Sequence, residues 1–212
     1  MTDWSIYFFA EKGRWRKETC SYQKLYMDKQ KELLAAAMKL FVEFGFHGTP
    51  TSKIAKEAGV ANGTLFHYYK TKDDLIVALY VDIKMRMAGC LMTGLENESS
   101  IKGKMKSLYL STMYWAMDNQ YEFRFIQQFH SAPFLSKVTP EEIKDQATAH
   151  LRMIEDGIAQ KIIKPLPVDF IYTLIMSHVF GVYQYLTTNE MDAEKRKAVI
   201  EETFEMLWNM IS

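Results

Sequence analysis

Chain breakers are few and unevenly placed. Ten Gly and five Pro punctuate 212 residues, and the stretches between them carry apolar residues at helical spacing. A β sandwich or barrel needs a turn every few residues, so that class is excluded. Leu33, Ala37, Leu40, Phe41 and Phe44 recur at i, i+4, i+7, i+8 and i+11, which is one face of a helix. No strand pattern, internal repeat or low-complexity stretch is found. The reading is an all-α fold of about nine helices, over roughly 28–45, 52–58, 62–69, 72–93, 101–118, 121–131, 140–163, 168–187 and 192–211.

The helix ends follow local signals. Gly45, Gly48 and Pro50 break the first helix, and Gly59 ends the second. Thr51 is a candidate N-cap for helix 2. Thr71-Lys72-Asp73-Asp74 resembles a capping box ahead of helix 4, with acids on the positive helix end. Thr139-Pro140-Glu141-Glu142 is a strong start for helix 7, and Pro165 and Pro167 separate it from helix 8.

Residues 1–26 fit nothing downstream and are expected to form an irregular leader, with Met27 a candidate true start. The competing reading is a basic arm, through Lys12, Arg14, Arg16 and Lys17, that reaches DNA phosphates or the minor groove. Two cysteines, Cys20 and Cys90, lie far apart without metal or redox spacing, so a reduced, cytoplasmic protein is expected. No signal peptide is visible. Segment 166–186 approaches transmembrane length but contains Asp169, His178 and Gln184, so a buried helix is expected and no membrane partner.

Charge is balanced overall but not along the chain. Residues 1–95 hold 14 Lys and Arg against 10 Asp and Glu, and residues 96–212 hold 12 against 16. A basic first half points weakly to a polyanionic partner. Within 49–72, Lys53, Lys56, Lys70 and Lys72 oppose only Glu57. Two short helices joined at a Gly-centred corner, with a longer helix on each side, form a helix-turn-helix unit. Small residues at the start of a reading helix, here Ala61-Asn62-Gly63-Thr64, let backbone approach base edges and phosphates. Phe66, His67, Tyr68 and Lys70 then stand where flanking phosphates would lie, while Leu65 and Tyr69 suit the core.

Residues 29–90 resemble the DNA-binding domain of the TetR/AcrR family of bacterial transcription regulators. The resemblance runs through Ala35-Ala36-Ala37, Phe41-Val42-Glu43-Phe44-Gly45 and Gly48-Thr49-Pro50-Thr51-Ser52-Lys53-Ile54-Ala55. It is strongest at Ala58-Gly59-Val60-Ala61-Asn62-Gly63-Thr64-Leu65-Phe66-His67-Tyr68-Tyr69, and Lys70-Thr71-Lys72-Asp73-Asp74-Leu75 completes it. It implies an Ω-shaped homodimer of nine-helix subunits. Three helices would bind DNA, helix 4 would connect, and a helical bundle would regulate. It implies Thr51, Ser52, Lys70 and Lys72 on phosphates, Asn62, Gly63 and Thr64 near bases, and Phe66, His67 and Tyr68 on the groove side. Position 61 is often Ser in relatives and is Ala here, which leaves Asn62 to cap in its place.

The expected organisation is a leader at 1–26, a helix-turn-helix domain at 27–72 and a ligand-binding and dimerisation domain at 73–212, with helix 4 at 72–93 as connector. Helix 8 is apolar nearly all round and helix 9 carries the stripe Ile200, Phe204, Leu207 and Ile211. Both suit the four-helix dimer interface that the resemblance implies, through 168–187 and 192–211. A cavity among helices 5 to 8 would draw on Tyr114, Trp115, Phe123, Phe129, Met153, Tyr172 and Met176, with Gln127, His130, His150 and His178 as polar groups. Such a lining suits a large apolar or amphipathic effector. The three histidines have no close ligand pair, so no metal is expected, nor any cofactor.

These features predict a ligand-responsive repressor that binds a pseudo-palindromic double-stranded operator as a homodimer. The alternative is a ligandless DNA-bound scaffold of the same fold acting through protein partners, which a closed helix 5–8 interior would favour. An enzyme is disfavoured, because no paired carboxylates, nucleophile elbow, phosphate loop or metal signature is present.

Overall fold

The computed structural model describes residues 17–91, 98–134 and 140–212, with 17–28 and 140–149 described by backbone alone. Among the described residues it contains nine helices and no strand. They are α1 (Lys17–Phe44), α2 (Thr51–Glu57), α3 (Asn62–Tyr68), α4 (Lys72–Leu91), α5 (Ile101–Asp118), α6 (Gln120–His130), α7 (Pro140–Ala159), α8 (Val168–Thr188) and α9 (Ala193–Ile211). No helix among them is long and apolar enough to cross a membrane.

Four expectations are corrected. α1 begins at Lys17, so residues 17–26, expected to be irregular, are helical; the basic-arm residues Lys12, Arg14 and Arg16 lie outside the described residues. Thr51 does not cap α2. Pro50 holds the cap position in extended backbone, and no side chain bonds the exposed N–H groups. Likewise Ala61 holds the cap position of α3 without a side-chain bond, and Asn62 is already inside the helix. α7 ends at Ala159 rather than near Ile163. Lys161 adopts a left-handed φ of 58°, and the N–H groups of Ile162 and Ile163 both return to the Gly157 carbonyl. That reversal lays the Ile163 side chain over Gly157 and buries it. The Thr139 cap lies outside the described residues.

Other ends follow the sequence signals. The Asp74 N–H donates to Thr71 Oγ1 at 3.1 Å and the Thr71 N–H donates to Asp74 Oδ2 at 2.9 Å, a reciprocal capping box. Asp192 caps α9 by accepting from the Lys195 N–H at 2.7 Å. Ser100 caps α5 by accepting from the Gly103 N–H at 3.0 Å.

The core is continuous from end to end. α1 packs on α2, α4 and α6, and α4 in turn packs on α5, α6 and α7. At the centre, Phe46 meets Phe41 at 5.3 Å, Phe125 at 5.6 Å and Phe134 at 5.2 Å between ring centroids. These edge-on contacts join the N-terminal helices to α6.

Candidate nucleic-acid interface and effector cavity

The short helices are held by their corner. α2 closes with the Val60 N–H donating to the Ala55 carbonyl at 2.9 Å and the Gly59 N–H donating to Lys56 at 3.1 Å. This paired closure requires a left-handed residue, and Gly59 supplies it at φ 65°. Ile54 and Ala55 of α2 and Leu65 of α3 face inward and are buried. Behind them Thr49 is fully buried, its hydroxyl placed 2.8 Å from the Gly45 carbonyl and 3.1 Å from that of Leu40. Tyr69 is buried just after α3, and its hydroxyl accepts from Gln30 Nε2 at 3.2 Å.

The opposite face of this unit is open. Ser52, Asn62, Gly63, Phe66, His67 and Lys70 are exposed, and Thr51, Thr64, Tyr68 and Lys72 are partly buried. Phe66 is 42% exposed. Tyr68 leans inward against the core, with the His67 ring edge-on at 5.9 Å. Burial holds the Lys72 ammonium below its ordinary value, at the first residue of α4. A Cβ added at Gly63 would meet nothing. The fold therefore gains nothing from glycine there, although a helical glycine costs about 1 kcal/mol against alanine. Lys53 sits 3.4 Å from the Phe44 ring centroid, which holds one cation on this side.

The second half encloses a cavity, of which about 160 Å³ is open to the centre of a water molecule. Five of the expected residues line it: Phe123, His150, Met153, Tyr172 and Met176. Six do not. Tyr114 points outward, 42% exposed. Trp115 and Phe129 are buried in the packed core. Gln127 is half-buried outside the wall. His130 stands behind Tyr80, its Nε2 3.5 Å from the Tyr80 hydroxyl. His178 packs 5.9 Å from the Tyr109 ring and leaves a buried Nε2 without a partner. No group of three metal-ligating side chains occurs among the described residues.

The missed walls include Met105, Leu108, Tyr109 and Thr112 of α5 and whole faces of two helices from which no lining was expected. α4 contributes Tyr80, Lys84, Met87 and Leu91, and α9 contributes Phe204, Leu207 and Ile211. The α9 stripe, expected at a subunit interface, is thus turned into the subunit. Its outward apolar residues are Met206 and Met210. The signal for α4 was present: Lys84 interrupts an apolar face at i, i+4, i+7 and i+11 from Tyr80. Burial raises the Tyr80 and Tyr172 phenols, and it lowers Lys84 to about 8. Burial and the nearby Lys84 charge lower His130 to about 4.

Comparison with known proteins agrees with this architecture. Residues 33–79 match the family model "Bacterial regulatory proteins, tetR family", and residues 80–212 match "Tetracyclin repressor-like, C-terminal domain". The chain is 25% identical over 153 residues to the transcriptional repressor KstR2 of Mycolicibacterium smegmatis, covering 69% of this chain and 74% of that protein. It is 42% identical over 52 residues to the fatty acid metabolism regulator of Bacillus subtilis, a match that covers 24% of this chain and 27% of that protein. A putative TetR-family regulator from Shewanella sp. PV-4 superposes with a TM-score of 0.79 at 26% identity, over 86% of this chain and 97% of that one. FadR of Bacillus subtilis, solved with stearoyl-CoA, superposes with a TM-score of 0.68 at 21% identity, over 86% and 99%. With family models covering both halves of a helix-turn-helix protein, the chain belongs to the TetR family of DNA-binding transcriptional regulators and not to an enzyme family.

Proposed function

We propose that the chain is a ligand-responsive repressor that acts in the cytoplasm as a homodimer on a pseudo-palindromic operator. The observation that carries the reading is the double use of α4. This helix leaves α3 through the Thr71–Asp74 box and then forms a cavity wall from Tyr80 to Leu91. An effector that binds one orientation of α4 more tightly than another shifts the DNA-binding equilibrium by that difference in affinity. The scaffold alternative required a closed interior, so the cavity favours an effector.

On the DNA side, Asn62, Gly63 and Thr64 read the groove, with Phe66, His67 and Tyr68 beside them. Thr51, Ser52, Lys70 and Lys72 take phosphates. The lack of side-chain caps on α2 and α3 supports this role, because uncapped N–H groups suit phosphate oxygens.

Dimerisation uses the outer faces of α8 and α9. On α8, Ser177, Gly181, Gln184 and Thr188 lie exposed along one face, with Phe170 and Tyr185 exposed beside it. A Cβ at Gly181 would meet nothing, so a partner helix can approach closely there. Met206 and Met210 extend this apolar surface on α9. Two-fold symmetry then sets half-sites about 34 Å apart or slightly more. FadR's stearoyl-CoA, together with the apolar walls here, supports an apolar or amphipathic effector.

The test is selection of genomic DNA fragments by the purified protein at fixed salt, beside a His67→Ala/Lys70→Ala control. Enrichment of one inverted repeat, lost in the control, is expected. Retention without sequence preference overturns the reading.

A further inference from the structure

Lys84 is the one charged side chain in the cavity wall among the described residues. Among the described residues no Asp or Glu lines the cavity and no ion pair involves Lys84. Its titratable surroundings are Tyr80 on its own helix, His130 on α6, Tyr109 on α5, His150 on α7 and Tyr172 on α8. None is an anion near neutral pH. His130 is held neutral, and burial pushes all three phenols upward. An ammonium drawn out of water without a partner destabilises the protein that carries it. The rest of the wall is apolar side chains with the neutral groups of Tyr80, Tyr109, Thr112, His150 and Tyr172, and none of these supplies a countercharge.

We propose that Lys84 anchors the carboxylate of an apolar acid whose body runs along α4 from Tyr80 toward Leu91. This rests on the ligand-responsive reading above and names the chemical class of its effector. The Tyr172 hydroxyl, also on the cavity wall, supplies a neutral donor for the second carboxylate oxygen. The α4 wall spans about 16 Å at roughly 1.5 Å of rise per residue, enough for an extended chain. A nucleotide head group carries several phosphates and calls for several cations, whereas this wall offers one. The effector's charge therefore lands directly on the helix that leads to the DNA-binding unit.

The experiment is calorimetric titration of the full chain with dodecanoate, dodecanol and dodecanoyl-CoA, below their aggregation concentrations and at fixed salt. Dodecanoate is expected to bind, and Lys84→Met to weaken it roughly ten- to a hundred-fold. Lys84→Arg is expected to keep most of the affinity, and dodecanol binding is expected not to respond to Lys84→Met. The anchor is overturned if Lys84→Met leaves dodecanoate affinity unchanged, if dodecanol binds as tightly as dodecanoate, or if only the CoA ester binds. In those cases, release of the operator by the alcohol or the ester would leave the effector reading standing. Binding by none of the three also overturns the anchor, and operator release by a small-molecule extract of cells then judges the effector reading separately.

Discussion

The Tyr80 ring lies flat on the Phe129 ring, with centroids 3.9 Å apart and 8° between their planes. Tyr80 belongs to the cavity wall. Phe129 continues to Phe134 at 6.0 Å and Phe125 at 6.3 Å, and both of these meet Phe46. A packed aromatic path thus leads from the cavity to the loop behind α1. Phe129→Leu is expected to lower stability by about 1–2 kcal/mol, from lost stacking and an imperfectly refilled space. Equilibrium urea unfolding measures it, and an unchanged midpoint would show that this contact contributes nothing.

Lys84 gives a pH signature of defined sign. Its folded value is about 8 against an ordinary 10.5. Between these values the unfolded chain binds more protons, so stability rises with pH through that window. The destabilisation is complete below pH 8 and gone above 10.5. Lys84→Met is therefore expected to exceed the parent by about 1–3 kcal/mol at pH 7, a range reduced because Lys84 keeps some accessible surface. Urea unfolding of both proteins at pH 7 and pH 10 checks that the gap narrows as pH rises.

In the proposed DNA interface, a change at Gly63 is expected to separate folding from DNA binding. Gly63→Ala is expected to raise stability by about 0.5–1 kcal/mol, since the added Cβ meets open space inside a helix. The same methyl group stands where the backbone would approach DNA, so operator affinity is expected to fall about tenfold or more. Thermal unfolding and gel-shift titration of one preparation read both effects. A stabler variant with undiminished operator binding would remove Gly63 from the interface.

Lys161 stores local backbone strain at φ 58°. Lys161→Gly is expected to raise stability by about 0.5–1 kcal/mol, because glycine enters the left-handed region without a Cβ clash. Differential scanning calorimetry would show it as a small increase in melting temperature.

The sequence was most readable where structure depends on neighbours along the chain. The α5 span and the Thr71–Asp74 box match their expected places because a cap and its partner lie three residues apart. Residues 17–26 were misread because the periodic apolar pattern was taken to begin near Met27, whereas the helix starts at Lys17. The cavity was half readable. Phe123, Met153 and Tyr172 were found, but a void is shaped by which distant helices converge. Local spacing could not tell that α9 turns Phe204 and Leu207 toward it rather than toward a partner. Phe129 and Trp115 show the converse: aromatic character marks a core without saying which part of it stays empty.

The two seven-residue helices of the DNA-binding unit bury only Ile54, Ala55 and Leu65 between them. Three side chains are far too few to hold two short helices in water. The remainder of their support comes from α1, which packs on α2 and also on α4 and α6. The DNA-binding unit therefore shares one continuous hydrophobic core with the C-terminal bundle and is expected to melt with it in a single transition.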